Sequence, residues 1–246
     1  MIDKEFVENR ITTENLMKRE LFSAVLSDDE LVIEIRPGMA FGTGAHPTTS
    51  MCLKLMERRK GRFRSFLDIG CGSGILPMAA ALFGAEDILG TDIDPRAVAA
   101  AKENVTRNGF EGKVRIIEND LVKGIDFKAD IITANLLAPL IVPVAEEVRK
   151  HLTPSGLFIS SGITMEQLDE VRAGLKKAGF EVLDITTPGE LDVDIVRKTV
   201  IKNNLNVSKF VKSVCVDNAE TLGVKFQEFL KANCLSSHMM VVARKR

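Results

Sequence analysis

The sequence predicts a doubly wound α/β fold built on a mostly parallel sheet, and three observations carry that expectation. Between about Phe66 and Phe180, five short apolar segments alternate with helical ones. The apolar segments show little polar alternation, as strands buried on both faces do. Polar and acidic residues then cluster where those segments end. Alternation of this kind builds a parallel sheet with helices on both sides, and such sheets bind ligands beyond the carboxyl ends of their strands.

In chain order, residues 12–26 (TTENLMKRELFSAVL) read as an amphipathic helix and LVIEI (31–35) as a strand. PGMAFGTGAHPTT (37–49) is too rich in small and turn-forming residues to build core, and Pro47, Thr48 and Thr49 open a helix, TTSMCLKLMERR. The strands of the sheet are FLDIG (66–70), DILGTD (87–92), VRIIEN (114–119), ADIITAN (129–135) and LFISSG (157–162). Between them lie the helices LPMAAALFGA, PRAVAAAKENVTRNG and LIVPVAEEVRKHL, the second opening at Pro95 and closing at Gly109. EVLDITTPGE (181–190) is a sixth strand and HMMVVARKR at the end of the chain a closing one. Between them, VRKTVIKN reads as strand-like, and NVSKFVKSVCVDN and AETLGVKFQEFLKAN as helices.

Composition narrows the class. The chain has 246 residues, 45% of them hydrophobic, which suits one ordinary or two small domains with a buried core. Its 33 Lys and Arg nearly cancel its 34 Asp and Glu, so no overall field steers it onto nucleic acid or an anionic membrane. No apolar run reaches the roughly 18 residues of a membrane span. The charged start MIDKEFVENR is unlike a signal peptide, so no membrane contact and a cytoplasmic location are expected. Cys52, Cys71, Cys215 and Cys234 lie far apart without a CxxC pair, which speaks for reduced thiols and against a zinc site.

The strand ends carry the candidate chemistry. In DIGCGSG (68–74), Gly70, Gly72 and Gly74 let the backbone turn tightly and approach a ligand, and the next helix presents free amides; glycines here also serve plain turns. Asp92, ending the second strand, suits the two hydroxyls of a ribose, whereas Asp94 before Pro95 suits a helix cap. Asn119 and Asp120 follow the third strand, where an acceptor could take the exocyclic amine of an adenine or simply face solvent. Asn135 leaves the fourth toward the same crevice. A nicotinamide site fits less well. The glycine run lacks the extra residue of GxGxxG, and Asp68, two residues ahead of it, suits a cationic ligand better than a pyrophosphate.

DIGCGSGIL, GTDIDP, NDL and ANLLAPL, preceded by PGMAFGTGAHPTT, resemble the class I S-adenosylmethionine-dependent methyltransferases, specifically the PrmA type that methylates a large-subunit ribosomal protein. The resemblance covers about Leu31 to Phe180, and its most specific element is GMAFGTGAHPTT. It implies a Rossmann-like, mostly parallel seven-stranded sheet with an antiparallel last strand, behind a short N-terminal extension. It also implies S-adenosylmethionine as cofactor, S-adenosylhomocysteine as product and a protein amine, on a ribosomal protein, as acceptor. By the resemblance Thr49, Gly70, Asp92 and Asn135 contact the cofactor; Asp68, Gly72, Gly74, Ile93 and Asp120 are candidates for the same site, and Asn135, whose amide oxygen could orient the hydrogens of an amine acceptor, is the candidate catalytic residue. Phe41 and Thr43 would sit in the loop that closes over it.

A sulfonium is already an activated methyl donor, so alignment and exclusion of water matter more than a strong acid or base. His46, flanked by Ala45 and Pro47, is therefore read as holding the loop by hydrogen bonds, with a role as proton acceptor as the alternative, and Cys71 as a small filler. The cluster RRKGRFR (58–64) reads as the solvated end of a helix, with contact to RNA or an acidic protein as the alternative.

The expected organisation is a helical extension at 1–30, a cofactor-binding core at 31–190, an insertion or small subdomain at 191–236 and a closing core strand at 237–246. Proteins of the PrmA type carry a substantial N-terminal recognition domain, whereas about thirty residues precede the first matched strand here. A small-molecule acceptor, or cofactor binding without catalysis, is accordingly an alternative to protein methylation. Methylation of a nucleic-acid base is not indicated, since Leu136 and Leu137 rather than two prolines follow Asn135.

Overall fold

The computed structural model of the chain describes residues 22–26, 31–36, 46–187, 192–233, 235 and 238–245. β1 (Phe22–Leu26) and β2 (Leu31–Ile35) form an antiparallel hairpin. The central sheet contains β3 (Ser65–Ile69), β4 (Asp87–Asp92), β5 (Val114–Glu118), β6 (Ala129–Asn135), β7 (Leu152–Ile163), β8 (Phe180–Thr186) and β9 (Met239–Lys245). Their order is β5-β4-β3-β6-β7-β9-β8, with β3 to β7 parallel and β9 antiparallel to both neighbours. The expected seven-stranded, mostly parallel sheet is therefore present. The order reverses between β3 and β6, where the connections diverge, the place at which folds of this kind bind ligands at the carboxyl edge.

The strands are central because both of their faces are apolar. Phe66, Leu67 and Ile69 of β3 are fully buried, Phe66 in one core and its neighbours Leu67 and Ile69 in another. α1 (Pro47–Glu57), α2 (Ile75–Leu82) and α3 (Pro95–Arg107) contribute to the first core, and α4 (Ala138–His151) and α5 (Leu168–Lys177) to the second. Burying the sheet on both faces fixes the direction in which every strand end points. Local signals set the helix starts. Asp94 caps α3 by accepting from the Arg96 amide at 2.9 Å, and His46 caps α1, its Nδ1 accepting from the Thr48 amide at 3.4 Å.

Two expectations need correction. The helix expected over residues 12–26 gives way at its described end to β1, which pairs residue for residue with β2, from Phe22 opposite Ile35 to Leu26 opposite Leu31. FSAVL pairs with LVIEI, and that ladder outweighs a helical apolar pattern. Residues 12–21 lie outside the described residues. β2 itself joins this hairpin instead of the main sheet, and α3 holds it: Asn108 Oδ1 accepts from the Glu34 amide at 2.8 Å and Asn104 Oδ1 from the Arg36 amide at 3.1 Å.

The second correction concerns VRKTVIKN, which is helical, within α6 (Asp192–Asn203). Val193, Val196 and Val200 recur at helical spacing, and Asp192 and Asp194 favour a helix start. The Val193 amide donates to Gln227 Oε1 at 2.9 Å, tying α6 to the later α8 (Val224–Ala232). Between them lie α7 (Lys209–Val211) and two wide π-helical segments, Lys212–Asp217 and Ala219–Gly223. Among the described residues no helix is long and apolar enough to cross a membrane.

Candidate active site

Every strand-end residue singled out from the sequence lies on the carboxyl edge of the sheet, around β3, β4, β5 and β6. After β3, the chain turns through Gly70, Gly72 and Gly74 with φ of +74°, +53° and +80°, a backbone that side chains disfavour. The amides of Gly70 and Cys71 donate to the Thr91 carbonyl at 2.8 and 2.9 Å, fastening the turn to β4. The Gly72 amide donates to Asp92 Oδ2 at 2.9 Å, and Asp92 Oδ1 accepts from the Asp94 amide at 3.0 Å. Each oxygen of Asp92 thus has one backbone partner and retains acceptor capacity for a ligand hydroxyl.

Asp68 sits below this turn. Its carboxyl is only 2% exposed and accepts from Thr133 Oγ1 at 2.6 Å. Burial pushes its pKa up to about 7; the Thr133 hydrogen bond opposes the rise and the nearby Asp92 charge adds to it. The site therefore keeps a titrating carboxyl next to the glycine turn.

At β6, the Asn135 side chain is held at both ends. Ser161 Oγ donates to Oδ1 at 2.9 Å, and Nδ2 donates to Thr49 Oγ1 at 3.4 Å. Thr49 is on the first turn of α1, so the segment after residues 37–45 reaches the tip of β6. The turn beyond Asn135 is wedged between two glycines. A Cβ on Gly70 would lie 2.5 Å from Leu136 Cδ2, and one on Gly162 (φ +83°) would lie 2.4 Å from the Leu136 carbonyl oxygen. Gly162→Ala is expected to destabilise the fold by about 2–4 kcal/mol and to displace Asn135, through left-handed strain plus the clash. A lower urea midpoint with unchanged slope checks the prediction.

The remaining predicted residues fall at the same edge. The Asn119 amide donates to the Asp92 carbonyl at 2.8 Å, which brings the 119–121 segment beside β4. There Asp120 is partly exposed and paired with Lys123. Ile93 is 67% exposed, an apolar side chain standing at the rim beside Asp92. Phe41 and Thr43 lie outside the described residues. Cys71 is buried and packs against Gly90, with its thiol pushed up by burial, as a filler would be. Among the described residues no cluster of three or more His, Cys, Asp or Glu could hold a metal.

Several residues of the site escaped the sequence reading. Asn104 is 2% exposed and bridges two elements, its Nδ2 donating to the Ser73 carbonyl at 2.9 Å while its Oδ1 holds β2. Its signal was a polar residue on the apolar face of α3, between Ala101 and Val105. Thr133 and Ser161 carry a weaker mark, buried polar side chains on strands whose central residues are mostly apolar. His238, whose ring lies 5.7 Å from that of His46, has no comparable signal because it precedes a strand distant in sequence.

The sheet order, the inserted antiparallel β9 and the glycine turn over the carboxyl edge define a class I methyltransferase fold, in which parallel strands present a cofactor crevice. A solved ribosomal protein L11 methylase from Lactobacillus delbrueckii subsp. bulgaricus has the same fold, with TM-score 0.64 and 24% identity over 90% of this chain and 89% of that one. The chain belongs to the ribosomal protein L11 methyltransferase (PrmA) family, whose model matches residues 4–198. It is 44% identical over 188 residues to a ribosomal protein L11 methyltransferase of Clostridium botulinum, covering 76% of this chain and 60% of that protein. A counterpart in Heliobacterium modesticaldum is 43% identical over 174 residues, covering 71% and 55%. The chain thus spans little more than half the length of these curated relatives.

Proposed function

We propose that the chain transfers the methyl group of S-adenosylmethionine to amino groups of ribosomal protein L11. The observation that carries this reading is the convergence, at one sheet edge, of a positive-φ glycine turn, the doubly anchored carboxylate of Asp92 and the clamped amide of Asn135. Membership of the PrmA family supports the acceptor.

In this reading Asp92 would hold the ribose hydroxyls, Ile93 the apolar face of the adenine and Asp120 its amine. Gly70, Gly72 and Gly74 would let the backbone approach, with Asp68 beneath the cationic end. Thr49 would border the methyl group, and the loop with Phe41 and Thr43 would cover it. When bound, the cofactor supplies a methyl carbon already activated by its positive sulfur. The protein's own work is then to align the acceptor, exclude water and take an amine that arrives neutral. Neutrality comes readily to an α-amine of pKa near 8 and is costly for a lysine near 10.4. Asn135 Oδ1 is the acceptor able to orient the amine hydrogens. Residues 31–190 and 237–246 make up the cofactor-binding core, with 191–236 inserted.

The test is incubation with S-adenosyl-[methyl-³H]methionine and either purified L11 or a cell extract split into protein, RNA and small-molecule fractions. Label in L11 is expected. Label confined to small molecules, or cofactor binding without transfer, would replace this function by one of its alternatives. Asn135→Ala is expected to lower transfer by about 10²-fold while binding of S-adenosylhomocysteine stays within threefold. Undiminished transfer would remove Asn135 from the mechanism.

A further inference from the structure

Asn135 can serve an incoming amine only if its amide presents the oxygen, not the NH₂ group. An amide is nearly symmetric in shape, so hydrogen bonds alone decide which end points where. Ser161 stands opposite Asn135 in the parallel register of β6 and β7, fully buried, and its hydroxyl donates to Asn135 Oδ1 at 2.9 Å. A serine hydroxyl has one proton to give. The contact of 3.5 Å between Cys52 Sγ and Ser161 Oγ must therefore run from the thiol to the hydroxyl. Burial pushes the Cys52 thiol up to about 12, so it keeps that proton throughout the neutral range. Cys52 lies one turn beyond Thr49 on α1, and Thr49 Oγ1 accepts from Asn135 Nδ2. The result is a directional relay: Cys52 thiol to Ser161 hydroxyl to Asn135 oxygen, then Asn135 nitrogen to Thr49.

We propose that Ser161 is a positioning residue for methyl transfer, fixing the Asn135 amide so that Oδ1 faces the acceptor amine with its second lone pair. The inference rests on the catalytic assignment of Asn135 and extends it to a residue not assigned to the cofactor or the acceptor. Without the hydroxyl, the oxygen loses its internal donor and the amide is free to turn over.

The experiment is a double-mutant cycle of Ser161→Ala and Asn135→Ala, read as L11 methylation with labelled S-adenosylmethionine, together with side-chain amide NMR of the cofactor-free protein. Ser161→Ala alone is expected to lower kcat by about tenfold, with the KM for cofactor within twofold, because one hydrogen bond to the amide is lost. In the Asn135→Ala background the same change is expected to do nothing further. Ser161→Thr, which keeps a hydroxyl, restores most of the rate. In the free protein the Asn135 amide proton pair, identified by its disappearance in Asn135→Ala, shifts and broadens in Ser161→Ala and recovers in Ser161→Thr. An unchanged kcat, an equal loss in both backgrounds or an unmoved amide pair overturns the role of Ser161 while leaving Asn135 in place. Full transfer in Asn135→Ala overturns both.

Discussion

Asp92→Ala is expected to weaken S-adenosylhomocysteine binding by about two to three orders of magnitude, in a protein that remains folded. Two effects add. The carboxylate would lose its charged hydrogen bonds to both ribose hydroxyls, each among the stronger kinds available to a protein. It would also release the Gly72 and Asp94 amides, which its two oxygens now hold at 2.9 and 3.0 Å. The glycine turn would then lose one of its fastenings to β4, although the bonds from Gly70 and Cys71 to the Thr91 carbonyl remain. Asp92→Asn is no mild alternative, since its NH₂ group would face one of those amides donor to donor. Isothermal titration with S-adenosylhomocysteine checks the loss, and an unchanged far-ultraviolet spectrum separates it from unfolding. Binding within threefold of the native protein would remove Asp92 from the site.

Asp68 carries the second large expectation, in two parts of opposite sign. Its proton is lost near 3.8 in the unfolded chain and near 7 in the folded one. Between those values the folded state retains a proton that the unfolded state has given up. Asp68 therefore lowers stability progressively as pH rises from about 4 to about 7, and by a constant amount above, on the order of 4 kcal/mol. Below about pH 4 the penalty vanishes, because both states are protonated. In Asp68→Asn this dependence disappears: urea unfolding across the range is expected to show the variant gaining on the native protein up to about pH 7 and no further. Cofactor affinity moves the other way. A cationic amino end bound above the turn would hold Asp68 ionised, so affinity is expected to fall below about pH 7, by up to tenfold for each unit. Binding at acid pH accordingly releases a proton, which titration in buffers of different ionisation enthalpy detects. A variant with the native pH profile for both properties would contradict the account of Asp68.

The contrast between these groups shows what the sequence made legible. Strands buried on both faces are continuous apolar runs, and a polar residue at the end of such a run has few reasons to be there. Asp92, Asp120 and Asn135 stand out for that reason, and all lie at the same edge. The glycines of 70–74 were legible because their positive φ excludes most other residues. Interactions between elements distant in sequence were not legible. Asn104 joins α3 to the glycine turn and to the end of the β2 segment at Arg36, and Ser161 joins β7 to Asn135, yet nothing in the sequence ties either residue to those partners. The β1–β2 hairpin was missed because five residues of FSAVL satisfy a helical pattern as well as a strand, and only the partner strand decides. The burial of Asp68, which sets its proton affinity, likewise depends on Thr133 and the layers above and below.

The central claim is that one adenosyl ligand lies across the tips of β3, β4 and β6, with its sulfur turned toward Asn135. A crystal structure of the chain with S-adenosylhomocysteine tests it most directly. The ribose hydroxyls are expected within hydrogen-bonding distance of both Asp92 oxygens, with the sulfur closer to Asn135 than to Asp120. Ligand density away from Asp92, or a ligand laid across the edge in the reverse direction, would contradict it.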